Sequence, residues 1–273
     1  MRHRPSPLRF FLLVALLSAP FAWLGFATDR PLFPGIPISA LAFVCPVFAA
    51  CILRLREAGM AGIRSLFRRA GDLGGAASPW RLVPALLLMP LVTAAAFAIL
   101  RWIGRPVHQP WFPLPGALLL FLVFVVAALG EELGWSGYAL DPMQERLGPL
   151  GAALVLGVIW ALWHVIAMVQ AGQSPGWIAW GCVDMVATRV IMVWLYNASA
   201  RSVAAVALYH AIANLSIKSW FPGGSYQAER VITVLLVIAA MVAVATARLP
   251  GSGISSRRHE GTKDTEASLA VDG

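Results

Sequence analysis

Eight apolar runs account for most of this chain: residues 10–27, 36–53, 82–103, 114–130, 150–169, 177–196, 203–217 and 231–247. About 20 predominantly apolar residues cross the hydrocarbon core of a bilayer as a helix. The expected fold is therefore all-α, a polytopic transmembrane bundle of about eight spans. Composition supports this: 59% of the residues are hydrophobic and 12% are charged, against about 25% charged in a soluble domain. The second and seventh runs are the shortest. The fourth has room to continue through Gly134 to Leu140 as one long, tilted helix.

The basic residues orient the bundle, because cytoplasmic loops carry the excess of Lys and Arg. With the N-terminus inside, the inner segments hold Arg2, Arg4, Arg9, Arg54, Arg56, Arg64, Arg68, Arg69, Arg81, Arg146, Arg201, Arg248, Arg257, Arg258 and Lys263. The outer loops hold Arg30, Arg101, Arg105, Lys218 and Arg230. The expectation is a multi-pass protein of the cell membrane with both termini cytosolic. Its first apolar run extends beyond a signal core of about 7–15 residues, so we expect an uncleaved first helix. Membrane topology already accounts for the net charge of +8, which excludes nucleic acid as the implied partner. Between 54 and 81, Met60, Ile63 and Phe67 recur with helical spacing while Arg64 and Arg68 take another face. That pattern predicts an amphipathic helix on the inner leaflet. Residues 1–250 read as one transmembrane domain, and 251–273 as a disordered cytosolic tail. Cys45, Cys51 and Cys182 lack metal-ligand spacing and read as small apolar residues.

Against this background a few polar residues are out of place. A charged side chain at a helix centre costs at least about 2.5–3.5 kcal/mol on insertion scales, so one that sits there needs a partner or a function. Glu131 and Glu132 close the run FLVFVVAALG. Adjacent helical residues point about 100° apart, so one can face a cavity while the other braces a neighbouring helix. His164 stands in GVIWALWHVIAM, with Trp160 one turn earlier on the same face. His210 and Asn214, four apart in VAAVALYHAIANL, share another face. At about 1.5 Å per residue, Glu131 and His210 each fall roughly 13 Å from the inner edge. Asp184 and Arg189 are a second intramembrane group.

The three motifs EELGWSGYAL (131–140), WALWH (160–164) and HAIAN (210–214) resemble, in order and placement, the CPBP family of membrane proteins. This family includes CAAX proteases and bacteriocin-processing, ABI-type proteins, and the resemblance covers about residues 112–218. It implies an intramembrane endopeptidase acting on membrane-embedded or lipidated peptides. In that reading Glu131 is the general base, His164 holds the water, His210 and Asn214 form the oxyanion side, and Glu132 orients the site from behind. The cofactor expectation is none, with zinc on Glu131, His164 and His210 as the alternative. Two positions depart from the family pattern. Ser136 stands where EExxxR has its arginine, and Trp160 replaces the phenylalanine of FxxxH. Arg189 is the candidate substitute for the missing arginine; a simpler arrangement pairs it with Asp184. The competing readings are a non-catalytic scaffold or self-immunity factor, favoured by Ser136, and a proton-coupled transporter. The Ala-, Arg- and Trp-rich composition suggests a bacterial genome of high GC content, so the sequence assigns no prenyl substrate.

Overall fold

A computed structural model describes residues 5–28, 31–32, 36–73, 79–110, 114–222 and 226–247. The fold is an all-α membrane bundle: α1 Pro7–Thr28, α2 Cys45–Gly71, α3 Val83–Trp102, α4 Leu114–Gly134, α5 Leu140–Gln170, α6 Pro175–Ala198, α7 Val203–Trp220 and α8 Tyr226–Ala247. Short 3-10 segments, Ile38–Val44 and Pro79–Leu82, lead into α2 and α3. Among the described residues, six helical segments are long and apolar enough to cross a membrane. One of these, Pro115–Gln170, holds both the fourth and fifth expected runs. The seventh run folds as α7, which carries His210, Asn214 and Lys218 and is not among those six. The tail expected beyond residue 250 lies outside the described residues.

The fourth helix does continue past Gly134. A π-helical turn, Trp135–Ala139, joins α4 to α5 without a break. The rod then bends inside α5 at Gly148 (φ 69°, ψ 171°), with Pro149 next. Glycine adopts this left-handed φ without steric cost, and the proline cannot donate to the preceding turn. A similar break at Gly59 (φ 60°, ψ −153°) divides α2. Its second limb is the expected amphipathic helix. Met60 and Phe67 are exposed, whereas Leu66 is buried, so the predicted apolar face turns away from the bundle.

Hydrogen bonds gather residues that the charge pattern assigns to one side. The Ser6 N–H donates to Tyr138 Oη (3.2 Å), whose hydroxyl donates to Glu57 (2.5 Å). Asn197 donates to Gln144 (2.8 Å), and Ser202 Oγ donates to the Asp72 carbonyl (2.6 Å). Toward the other side, Trp163 donates to Ser18 and Gln170 to the Ala22 carbonyl, each at 2.9 Å.

Close packing of α4 against the start of α2 and the 3-10 segment that leads into it rests on two glycines four apart. A Cβ on Gly134 would lie 2.6 Å from the Cα-side carbonyl group of Pro46, and one on Gly130 would lie 3.0 Å from Phe43. Small residues at this spacing let helix backbones approach closely within membranes. The Glu131–Glu132 pair lies between them, so the close approach of α2 on one face sets where the carboxylates can point. Gly134→Ala meets backbone atoms that cannot turn aside. It should destabilise the protein by about 1–3 kcal/mol, read as a lower thermal-unfolding midpoint in detergent.

Candidate active site

Glu131 and Glu132 are both buried, and Glu132 is fully so. Their side chains diverge as neighbours on a helix must. Glu131 accepts a hydrogen bond from the Trp160 indole N–H at 2.8 Å. Glu132 accepts from Arg189 at 2.9 Å, from the Ser136 hydroxyl and from His210 Nδ1 at 3.3 Å. Despite the divergence, one ligand atom from each of Glu131, Glu132 and His210 lies within 4.8 Å of the others.

Arg189 reaches Glu132 because α5 and α6 pack closely at Gly157, where a Cβ would stand 3.1 Å from Val186 Cα and 3.3 Å from Arg189 Cβ. The Arg189 and Glu132 side chains are both wholly shielded from solvent. The guanidinium also lies 4.3 Å from the centre of the Trp160 ring, a cation–π geometry. The arginine expected at position 136 is thus met from another helix, with Ser136 bonding the same carboxylate oxygen. The alternative Asp184–Arg189 pair is not formed; Glu229 of α8 is the carboxylate that acts on Asp184.

Trp160 is the hub that sequence reasoning undervalued. Its ring stands edge-to-face with His164 (4.9 Å) and with His210 (5.5 Å). A phenylalanine would keep both ring contacts but would have no N–H for Glu131. His164 is half-buried on α5, and its Nδ1 lies 2.9 Å from the Trp160 carbonyl. A carbonyl only accepts, so Nδ1 carries the proton and Nε2 of the neutral ring is the acceptor. His164 is not part of the tight Glu131–Glu132–His210 group. Asn214 is half-buried one turn beyond His210 on α7.

Residues 110–216 match the model of the Rce1-like family, type II CAAX prenyl endopeptidases. This segment carries all three motifs and every polar residue just described on α4, α5, α6 and α7. Over this segment the chain is similar to that family. CAAX prenyl protease 2 of Methanococcus maripaludis is 26% identical to it over 152 residues, which cover 50% of this chain and 52% of that relative. The chain therefore spans about half the length of the curated relative it matches.

With its arginine on α6, the site presents a carboxylate held by neutral N–H donation beside one held by a cation. Two chemically identical side chains are thereby given different surroundings. Glu132 is tied by three side chains, an arrangement suited to holding structure. Glu131 has one neutral donor, the Trp160 indole, whose ring also touches His164 and His210.

Proposed function

We propose that this chain is a multi-pass intramembrane peptidase of the cell membrane, with about eight spans and both termini cytosolic. It hydrolyses peptide bonds of membrane-associated or lipid-modified peptides. The observation that carries the reading is the buried Glu131, held by Trp160 beside a Glu132 already neutralised by Arg189.

In this mechanism Glu131 takes a proton from a water that His164 Nε2 helps to orient. General-base assistance of this kind contributes about 10²–10⁴-fold. The water oxygen bonds to the carbonyl carbon as the C–N bond weakens. The developing oxyanion is met by His210 and the Asn214 amide, donors of the kind that stabilise such charge. Glu131 then returns its proton to the leaving amine. Glu132 does not touch substrate; its carboxylate accepts from His210 Nδ1 and holds the ring as the imidazolium, whose Nε2–H is the donor that meets the oxyanion.

The donor set suits a metal ion less well. Zinc binds carboxylate oxygen and imidazole nitrogen at about 2.0–2.2 Å, so Glu131, Glu132 and His210 would have to draw inward. One of them is already engaged by a guanidinium, and a second cation at that carboxylate is opposed by Arg189. We therefore derive no step through a metal. The test uses the purified full chain in nanodiscs with a fluorogenic peptide bearing an S-farnesyl cysteine three residues from its C-terminus, and the same peptide without lipid. Cleavage of the lipidated probe should persist within about twofold after exhaustive chelation, a change too small to signal a lost catalytic group. Loss of cleavage on chelation, restored by zinc alone, would replace this mechanism with a metalloprotease.

A further inference from the structure

We propose that Arg69 is a positioning residue, holding in register the inner ends of the helices that carry the candidate site. Nothing in the mechanism above requires it, and no motif marks it. It lies on the second limb of α2, beyond the Gly59 break, among arginines otherwise explained by topology. Arg64 and Arg68 of the same limb are exposed, whereas Arg69 turns inward. Its Nη1 donates to the Gly137 carbonyl at 2.7 Å. Its Nη2 donates to the Tyr196 hydroxyl and lies 3.5 Å from both Asp141 Oδ2 and the Arg201 carbonyl.

Each contact leads to a different part of the site. Gly137 is the middle of the π-helical turn that follows the glutamates. A π-turn inserts a residue into an α-helix and is common at functional sites; here the arginine serves one of its carbonyls. Tyr196 lies two turns beyond Arg189 on α6. Arg201 belongs to the tight connection from α6 to α7, where Ala200 (φ 55°) and Arg201 (φ 65°) hold left-handed conformations that are costly for non-glycine residues. Nine residues on along α7 is His210. One guanidinium thus spans the supports of Glu131–Glu132, Arg189 and His210. A planar fork of five donors can serve several acceptors at once, which an ammonium cannot reproduce in the same geometry.

The contact is also sterically prepared. A Cβ on Gly137 would stand 3.3 Å from Leu66 of the same α2 limb and 3.7 Å from Val203 at the start of α7. Leu66 is buried, so the limb is seated on the π-turn by one apolar and one cationic residue a single turn apart. The peptidase reading is needed only for the kinetic arm of the test, because the positioning itself is read without substrate.

The experiment compares wild type, Arg69→Gln, Arg69→Lys and the exposed-site control Arg68→Gln, each as full chain in nanodiscs. Amide hydrogen exchange by mass spectrometry is the first readout. In Arg69→Gln, protection should fall at least about tenfold in 131–139 and 199–205 while α8 is unchanged; such local opening is separable from global unfolding. Arg69→Lys should not restore it, and Arg68→Gln should match wild type. The second readout is cleavage of the farnesylated probe, where kcat should fall by about 10²-fold, as for misplacement of a reacting group, with KM nearly constant. Unchanged protection in 131–139, a uniform rise in exchange across all helices, or full rescue by lysine would each overturn the proposal. If wild type cleaves no probe, the peptidase reading fails while the exchange arm still decides the role of Arg69.

Discussion

Under the proposed mechanism, Glu131→Gln is expected to leave a folded protein whose peptide hydrolysis is largely lost. Glutamine has nearly the same shape and keeps an oxygen that can accept from the Trp160 indole N–H, so the 2.8 Å contact survives. What it loses is the capacity to take a proton at that oxygen. If Glu131 is the general base, kcat falls by about 10²–10⁴-fold, while KM and the thermal midpoint stay close to wild type. Glu132→Gln should fail differently. That carboxylate faces Arg189 inside a fully buried pair. Neutralising it strands a guanidinium that has two further nitrogens, Nε and Nη2, buried without partners. Loss of one member of a buried pair costs about 3–5 kcal/mol, so this variant should lose folded protein first and activity as a consequence. Steady-state kinetics beside thermal unfolding of both variants separates the two outcomes. A Glu131→Gln enzyme with activity within a few fold of wild type would remove the assigned base.

The second large effect is a charge relocation. Arg189→Ser leaves Glu132 ionised and buried with only neutral donors and His210, and should cost about 3–5 kcal/mol. That is a large share of a stability that typically totals about 5–15 kcal/mol. Ser136→Arg alone should also harm the protein, because it adds a large side chain where Ser136 is already buried and a second cation beside the first. Ser136 and Arg189 converge on the same oxygen of Glu132, so the double variant Ser136→Arg/Arg189→Ser exchanges their roles. It restores the family's EExxxR pattern and vacates the space needed for it. The expected result is strong non-additivity: the double variant recovers most of the folded yield and thermal midpoint lost by Arg189→Ser. Coupling of this kind is expected of residues in one buried network. A double variant no better than the worse single variant would show that position 136 cannot host the cation.

The bundle was legible in the sequence because a bilayer imposes a length and an apolarity on whatever crosses it. The continuation of the fourth helix and the helix after Gly59 were legible for the same reason: the hydrophobic pattern persists through both. Its place inside an apolar run also marked Arg189 as in need of a partner, which Glu132 supplies. Other features were not legible. The π-turn at Trp135–Ala139 depends on packing from outside the helix, through Leu66, Arg69 and Glu57, and no local residue preference announces it. Trp160 was read as an aromatic exchange for phenylalanine, because periodicity shows which face a ring occupies and not what its N–H will meet. Arg69 was indistinguishable from its neighbours, because the arginines between 54 and 81 serve topology equally well at the level of sequence. One signal was present and unused: Gly130 and Gly134 bracket the glutamates with the spacing of a close helix contact, which points to the face α2 covers.

The most direct measurement asks for cleavage products without presuming a substrate. Cells producing wild type or Glu131→Gln at equal membrane levels are compared by mass spectrometry of peptide termini in the membrane fraction. A buried glutamate that activates water predicts new termini on membrane-associated or lipid-modified proteins in wild-type cells alone. Identical termini in the two samples would contradict it, and would assign this buried polar network to holding the bundle together.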